Sequence, residues 1–383
     1  MNSCRKVAFL SDCTSRHMLL SLVKLRINCQ RGPETALSFN RSQGNVAKQA
    51  PDSGQKPRLR AIDLAKKIQQ EKTKAQATDP PVSGLRARVM DLKRFSQQLQ
   101  NVHPNVLAKH LHKGVLYQDK DVVVINKPYG VPFRGDSNTS ISSVLPVLSK
   151  MMDGMKVNSD SQLLPCLGLE KDSTGTVLLA RNEEVVEHIL ALNKHNQVQR
   201  KYWVVTVGVP VPSEGLIDIP IIEREVTGPQ PHFKMALSPL FRVNETGDGI
   251  TKIRSHRQAH LAATKYRVLD SSSGCSLVEL QPLTDVKHQM RVHMAFALAC
   301  PILGDHKYSH WSKLAPQKLP EHTLKKLKLE QSKTRYLPLH VHARQLMLPG
   351  QSQANIVSCL LPRYFMQTLN LLQLTFPNNK DNK

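Results

Sequence analysis

The sequence predicts an α/β or α+β domain over residues 114–377, preceded by basic extensions. Patterns typical of strands and of helices alternate from Val115 to about Phe376. Hydrophobic residues make up 40% of the 383-residue chain, which is enough for one large core. Because no apolar run is long enough to cross a bilayer, no membrane span is expected.

Residues 1–33 are basic and contain several serines, and Asp12 is their only acid. A segment of this composition is typical of a mitochondrial transit peptide, so the sequence predicts a protein of the mitochondrial matrix. A disordered basic arm that contacts RNA would have the same composition and stays open as the alternative.

The region between this segment and the domain is polar and then helical. Residues 34–60 contain several Gly and Pro residues, which predicts a linker. Residues 61–113 are expected to form a helical basic extension, with helices over 61–78 and 84–101 and a short third helix that starts near Pro104.

The domain itself starts where the pattern changes at Val115. Strands are predicted at Val122–Ile125, Val177–Ala180, Tyr202–Val209, Thr264–Leu269 and Ser276–Pro282. Helices are predicted at Val144–Met152, Glu183–Asn193 and Val286–Ala299. Residues 223–258 are charged and rich in Gly and Pro, which predicts a long functional loop. Residues 378–383 are assigned to a tail.

The charge of the chain indicates its class of partner. The sequence has 53 Lys and Arg against 30 Asp and Glu, a net charge of +23, and nucleic acid is the commonest partner of such a protein. Seven scattered cysteines without a C-x-x-C pair favour reduced thiols in an intracellular compartment over a disulfide framework or a zinc site. No glycine-rich phosphate-binding loop is present, so no nucleotide cofactor is expected.

Residues 281–308 carry the most informative single pattern. Basic residues and histidines come first: Lys287, His288, Arg291 and His293. A stripe of apolar residues at helical spacing overlaps them: Val292, Ala295, Phe296 and Ala299. Cations are favoured at the C-terminal end of a helix. Several of them at its start therefore indicate an acidic partner, either an internal carboxylate or an RNA phosphate.

Four separated segments form an ordered set. They are Ile-Asn-Lys-Pro-Tyr-Gly at 125–130, Leu-Glu-Lys-Asp-Ser-Thr-Gly at 169–175, the pair Lys201-Tyr202, and the segment 284–305. Residues 339–344 add a weaker fifth match. Together these segments resemble the RluA-type family of RNA pseudouridine synthases, and their order makes the set more specific than any one of them.

The resemblance covers roughly residues 115–377. It implies an α+β pseudouridine synthase-like domain, with a mixed, mostly antiparallel sheet curved around a cleft and flanked by helices. It also implies a monomer that isomerises uridine in folded RNA without any cofactor or metal. The expected partners are mitochondrial rRNA above all, tRNA or mRNA, and proteins of mitochondrial RNA granules or ribosome assembly.

The resemblance also assigns site residues by position. Glu170 stands where the family has its catalytic Asp, Tyr202 at the Tyr that stacks on the base and can accept a proton, and Arg291 at the Arg that pairs with the carboxylate. Gly175 is expected to let the backbone pass tightly behind the carboxylate. Contacts to RNA are expected from Lys127, Lys201, Lys287, His288, Gln289, His293 and Lys307.

The chain departs from the family at residues 167–170, which read Leu-Gly-Leu-Glu instead of His-Arg-Leu-Asp. Glu170 is one methylene longer than Asp, and a displacement of about 1 Å can cost on the order of 10²-fold in rate. Gly168 replaces the arginine that fills the space of the flipped base, so base extrusion loses a wedge and a cation. Asp172 is an alternative carboxylate, although the Ser-Thr-Gly register favours Glu170. Asp285 stands where the family has Gly.

Two functions therefore stay open. In the first, the chain forms pseudouridine in mitochondrial RNA and supports ribosome assembly and translation, with Glu170 in place of Asp. The presence of Tyr202 and Arg291 favours this function. In the second, a catalytically impaired protein of the same fold binds rRNA as a chaperone or assembly factor, which the sequence at 167–170 favours.

Overall fold

The computed structural model describes residue 69 and residues 84–135, 140–152, 162–226, 231–238, 240–243, 250–254, 258–350 and 355–377. The chain divides into two compact units, Met1–Lys74 and Ala75–Lys383, and all elements below belong to the second. Apart from Gln69, the predicted transit peptide, linker, helix at 61–78 and tail lie outside the described residues. No helix within the described ranges is long and apolar enough to cross a membrane.

A ten-stranded sheet forms the centre of the domain. Its strands are β1 (Val115–Gln118), β2 (Val122–Lys127), β3 (Leu164–Leu167), β4 (Thr174–Ala180), β5 (Gln199–Val207), β6 (Glu214–Asp218), β11 (Ala263–Ser272), β12 (Cys275–Pro282), β13 (Val341–Leu348) and β14 (Asn355–Ser358). Neighbouring strands follow the order β1-β2-β4-β13-β5-β12-β11-β6, while β3 pairs with β4 and β14 with β13. The pairing of β4 with β13 is parallel and the others are antiparallel, so the predicted mixed, mostly antiparallel sheet is confirmed.

Strand β4 lies inside the sheet, between β2 and β13, and all seven of its residues are buried. It begins three residues before the predicted strand, since Thr174 and Gly175 pair with His342 and Ala343 of β13. Gly175 has φ +113°, and a Cβ atom there would lie 2.3 Å from the carbonyl oxygen of Ala343. The prediction that Gly175 permits a close backbone approach is therefore confirmed.

Seven α-helices lie in the described part of the chain. They are α1 (Gly84–Gln97), α2 (Pro104–Lys113), α3 (Ile141–Met152), α4 (Glu183–Lys194), α5 (Gln289–Val292), α6 (Glu321–Leu327) and α7 (Arg363–Leu372). Pro104 begins α2, and the Asn182 side chain caps α4 by accepting a 2.8 Å hydrogen bond from the Val185 amide. Leu92 of α1 and Leu107 of α2 are buried in two of the hydrophobic cores around the sheet, so both helices contribute to the domain itself.

The predicted loop at 223–258 is wrong where the structure describes it. Two hairpins occupy most of the region: β7 (Ile221–Val226) with β8 (His232–Leu237), and β9 (Leu240–Val243) with β10 (Ile250–Arg254). Because each strand is short and contains charged residues, the sequence shows no apolar run or alternation typical of a strand there.

The predicted helix Val286–Ala299 is also shorter and less regular than expected. Helix α5 covers Gln289–Val292 and continues as a π-helix over His293–Ala297. Within the predicted apolar stripe, Val292 is buried, but Ala299 is exposed and has φ +53°. The wider turn carries the chain away from helical spacing, and such π-helical turns are frequent at functional sites.

Candidate active site

Three elements bring the predicted catalytic residues together. Glu170 lies on the turn between β3 and β4, Tyr202 on β5, and Arg291 on α5. A cavity of about 470 Å³ is lined by both Glu170 and Tyr202, and Arg291 contacts Glu170 from behind. The cavity is of a size that suits a small molecule or a nucleotide.

Arg291 binds two carboxylates at once. Its Nη1 donates to Oε2 of Glu170 at 2.8 Å, while Nε and Nη2 donate to the two oxygens of Asp305, each at 2.8 Å. The Asp305 side chain is 1% exposed and that of Glu170 is 32% exposed. Arg291 is therefore fixed by a bidentate buried pair, and it presents its remaining edge to a carboxylate that solvent can reach.

The charges of this triad support one another. Burial lowers the pKa of Arg291, but the hydrogen bonds and charges of Asp305 and Glu170 raise it above its ordinary value. Burial raises the pKa of Asp305, but Arg291 lowers it below its usual range. Arg291 and Asp305 are thus both ionised at neutral pH. The cationic Arg291 in turn fixes the orientation of the Glu170 carboxylate.

Tyr202 forms part of the cavity wall and is 3% exposed. Burial raises the pKa of Tyr202, and the opposing charge of Arg200 does not reverse this. The phenol is therefore neutral at physiological pH. A neutral phenol is suited to stacking on a base rather than to accepting a proton, so of the two roles implied by the resemblance the raised pKa of Tyr202 favours the first.

A second polar chain reaches Glu170 from the side of β8. The Met235 amide donates to the Tyr308 hydroxyl at 3.3 Å, and the same hydroxyl shares a hydrogen bond of 2.5 Å with Nδ1 of His288. Nε2 of His288 lies 4.0 Å from Oε2 of Glu170. Burial, followed by the charge of Arg291, lowers the pKa of His288 to about 3. The imidazole is therefore neutral and lies beside the carboxylate.

Lys127, predicted to contact RNA, is instead completely buried, and that assignment is corrected here. Its ammonium donates to the carbonyls of Pro128, Lys171 and Ser173 at 3.0, 2.8 and 2.8 Å. Burial lowers the pKa of Lys127 to about 7. Because Lys171 and Ser173 follow Glu170 on the same turn, Lys127 is a positioning residue for the carboxylate.

Replacing Lys127 by methionine is expected to weaken the enzyme through this turn. The apolar side chain fills the space but removes one donor from each of three carbonyls, of which that of Lys171 also accepts from the Gly130 amide, at 3.0 Å. This loss should lower the free energy of unfolding by roughly 2–4 kcal/mol. The turnover rate should fall about 10- to 100-fold, because the carboxylate loses its fixed position. Denaturant unfolding and single-turnover rates measure both effects. Lys120→Met, on the exposed turn between β1 and β2, is the control and should change neither.

The other residues predicted to contact RNA form an exposed or partly exposed group and a buried group. Lys287 and Lys307 lie near the surface beside His288, and Lys287 pairs with Glu223 at 2.9 Å. Lys201 pairs with Glu279 at 3.5 Å.

His293 and Gln289 belong to the buried group. His293 is completely buried between Thr264 and the Ile219 carbonyl, so it is not an RNA contact and that assignment is corrected too. Gln289 is 4% exposed and bonds to the Thr284 hydroxyl and the Ala263 carbonyl, although part of it lines the cavity.

The departures from the family pattern lie at the cavity. Gly168 and Asp285 both line it, and Asp285 pairs with Arg200 at 3.3 Å. Asp172 does not line the cavity. Its charge partly opposes the lowering of the pKa of Lys127 by burial, and it adds to the raising of the pKa of Tyr129 by burial. Glu170 is therefore the better placed of the two candidate carboxylates.

Sequence reasoning missed several residues of the site. Asp305 was part of a matched segment but received no role, and Tyr308 and Phe133 received none either. One indication of Asp305 was present in the sequence: the clustered cations at 287–293 predicted an acidic partner. Asp305 and Glu170 are the acidic partners of Arg291. Across the described ranges, no group of three or more His, Cys, Asp or Glu side chains could hold a metal ion.

Comparison with known proteins identifies relatives of the whole domain. The model of the RNA pseudouridylate synthase family matches residues 121–296. The Danio rerio protein "Pseudouridylate synthase RPUSD4, mitochondrial" is 58% identical over 324 residues, covering 83% of this chain and 90% of that protein. The Homo sapiens protein of the same name is 49% identical over 334 residues, covering 85% and 87%.

A solved structure and a more distant relative agree with these matches. The structure named "Human RNA Pseudouridylate Synthase Domain Containing 4" superposes with a TM-score of 0.63 at 49% identity, covering 72% of this chain and 98% of that chain. The Homo sapiens protein "Mitochondrial mRNA pseudouridine synthase RPUSD3" is 32% identical over 298 residues, covering 72% of this chain and 80% of that protein.

Proposed function

This chain belongs to the RNA pseudouridylate synthase family and is an RNA pseudouridine synthase, and on that premise we propose that it modifies uridine in mitochondrial RNA. The observation that carries the proposal is the 2.8 Å pair between Glu170 and Arg291 at a cavity that Tyr202 also lines. Relatives at 58% and 49% identity are named mitochondrial pseudouridylate synthases, which supports the choice of compartment.

The reaction moves one base without any net gain or loss of atoms. The bond between C1′ and N1 of uridine breaks, and a bond between C1′ and C5 forms. The proton on C5 leaves to solvent, and N1 gains a proton. In the proposed mechanism the Glu170 carboxylate, held in place by Arg291, stands beside C1′ as nucleophile or as stabiliser of positive charge on the sugar. Tyr202 stacks on the base while it turns.

The finer parts of the proposal concern location and substrate. Residues 1–33 would direct the protein to the mitochondrial matrix, where rRNA would be the main substrate and tRNA or mRNA further ones. The protein would act there as a monomer beside RNA-granule or ribosome-assembly proteins. The composition of that segment and the net charge of +23 support this assignment.

The test is to incubate the purified full-length protein with mitochondrial transcripts made in vitro, and in parallel with cytosolic transcripts made in the same way, and to map pseudouridine by carbodiimide modification. The proposal expects new modified positions in RNA that was transcribed in vitro and therefore starts without any. Tight binding of the same RNA with no new pseudouridine would overturn it and favour the scaffold function. New positions in cytosolic RNA but none in mitochondrial RNA would overturn the choice of substrate.

RNA affinity is expected to depend steeply on salt. Lys and Arg exceed Asp and Glu by 23, so most binding free energy should come from neutralised phosphates and released counterions. Six to ten such contacts would lower the affinity about 10³- to 10⁵-fold between about 50 and 200 mM salt. Fluorescence anisotropy with a labelled mitochondrial transcript measures this change. An affinity that stays constant over that range would contradict the electrostatic account of binding.

A further inference from the structure

The turn that carries Glu170 has an aromatic ring in the place where a side chain at position 168 would begin. A Cβ atom built on Gly168 would lie 2.0 Å from Cδ1 and 2.4 Å from Cε1 of Phe133. No real Cβ tolerates such contacts. The absence of a side chain at 168 is therefore what allows Phe133 to lie against this backbone, two residues before the catalytic carboxylate.

The start of α3 holds Phe133 in this position. The amides of Ile141 and Ser142, at the start of α3, donate to the carbonyls of Pro132 and Phe133 at 2.9 and 3.0 Å. The ring packs with α3 in one hydrophobic core and is 7% exposed. Part of it nevertheless lines the cavity that contains Glu170 and Tyr202. The ring is thus a fixed wall of the cavity.

The cationic side chain of Arg134 lies beside the Phe133 ring. Arg134 is exposed and lines the same cavity, and its guanidinium carbon lies 6.0 Å from the centre of the Phe133 ring. Its Nη2 donates to the Pro165 carbonyl at 3.3 Å, which keeps it at the mouth. Two other arginines of the site already have acidic partners. Arg291, behind Glu170, binds Glu170 and Asp305, and Arg200, which lines the cavity, is 10% exposed and pairs with Asp285.

From these contacts we infer that Phe133 and Arg134 form the binding site for the extruded uridine nucleotide, with the uracil face against the Phe133 ring and a flanking phosphate on Arg134. This inference rests on the proposed function and names the part of the site that holds the base out of the RNA helix. An extruded base loses its stacking neighbours and needs a protein surface to replace them, and its phosphate needs a donor. Phe133 supplies a stacking surface in addition to that of Tyr202, Arg134 supplies the donor to the phosphate, and both residues line the same cavity as Glu170.

The test uses RNA transcribed with uridine that carries tritium at C5, because pseudouridine formation releases this label into water. Phe133→Leu keeps an apolar side chain in the core but removes the flat ring. It should lower kcat/KM about 10- to 100-fold, the usual effect of losing one stacked base. Phe133→Tyr keeps the ring and should stay within a few-fold of the unaltered protein. Thermal unfolding of both variants separates a loss of stacking from a loss of folding.

Two further variants test the rest of the site. Gly168→Ala pushes the ring away without removing it and should lower kcat/KM in the same range as Phe133→Leu. Arg134→Gln should weaken RNA binding and reduce the slope of log affinity against log salt by about one. Lys194→Gln removes an exposed cation of α4 that does not line the cavity, so it controls for the loss of charge alone.

The outcomes distinguish the inference from the function beneath it. If the unaltered protein releases tritium and Phe133→Leu does so equally fast, the stacking role is overturned while the proposed function stands. If Arg134→Gln behaves like Lys194→Gln, the phosphate role is overturned. If the unaltered protein releases no tritium from any mitochondrial transcript, the proposed function fails and the inference fails with it.

Discussion

Replacing Arg291 by glutamine is expected to lower the free energy of unfolding by about 3–5 kcal/mol, because it leaves Asp305 charged and unpaired in the interior. The Asp305 side chain is 1% exposed and receives two of the three short hydrogen bonds that Arg291 makes. Glu170 would lose its anchor in the same variant. Pseudouridine formation should therefore fall below detection even at temperatures where the variant is still folded.

Denaturant unfolding and tritium release together measure this result. Arg267→Gln is the matched control, since Arg267 also pairs with a glutamate, Glu279, at 3.3 Å, but is 58% exposed. An exposed pair contributes at most about 1 kcal/mol, so this control should unfold almost like the original protein. If Arg291→Gln were as stable as Arg267→Gln, the buried triad would not be the structural centre of the site.

Replacing Glu170 by glutamine should lower the single-turnover rate at least about 10³-fold while the affinity for RNA changes little. Glutamine has the shape of glutamate and can still accept a hydrogen bond from Arg291, but it has no charge to stabilise the sugar. Glu170→Asp keeps the charge but withdraws it by one methylene, about 1 Å. Its single-turnover rate should therefore lie between those of the unaltered protein and Glu170→Gln, roughly 10²-fold below the unaltered protein.

Asp172→Asn separates the two carboxylates of the turn. Asp172 does not line the cavity, so its loss should cost far less than that of Glu170. A rate that collapses in Asp172→Asn and survives in Glu170→Gln would transfer the catalytic role to Asp172. Because Asp172 also interacts with the charge of Lys127, a small effect of Asp172→Asn would be consistent with a change in the turn alone.

The parts of the site that the sequence predicted are those that short motifs encode. Glu170 and Arg291 are 121 positions apart in the chain, yet their contact could be anticipated because each lies in a segment of the ordered set. The sequence also predicted an acidic partner for the clustered cations, and Arg291 has two such partners inside the fold, Glu170 and Asp305. The strand pattern predicted β4 and β5 because buried strands have strong apolar runs.

The parts that the sequence could not predict depend on burial and on partners from distant segments. Lys127 and His293 were expected to face RNA, because a cation or histidine in a motif gives no sign of which carbonyls surround it. Phe133 received no role, since the fold alone brings its ring against Gly168, 35 positions along the chain. The short hairpin β7–β8 was hidden by its charged residues, although it supplies the Met235 amide that bonds to Tyr308.

The most direct test of the central claim is a structure of the Glu170→Gln protein bound to RNA that carries the uridine it modifies. The arrangement of Glu170, Arg291 and Tyr202 predicts that this uridine lies extruded in the cavity, with C1′ within about 3.5 Å of the side-chain oxygen at position 170. A uridine that remains stacked in the RNA helix, or whose C1′ lies beside Asp172 instead, would contradict the account.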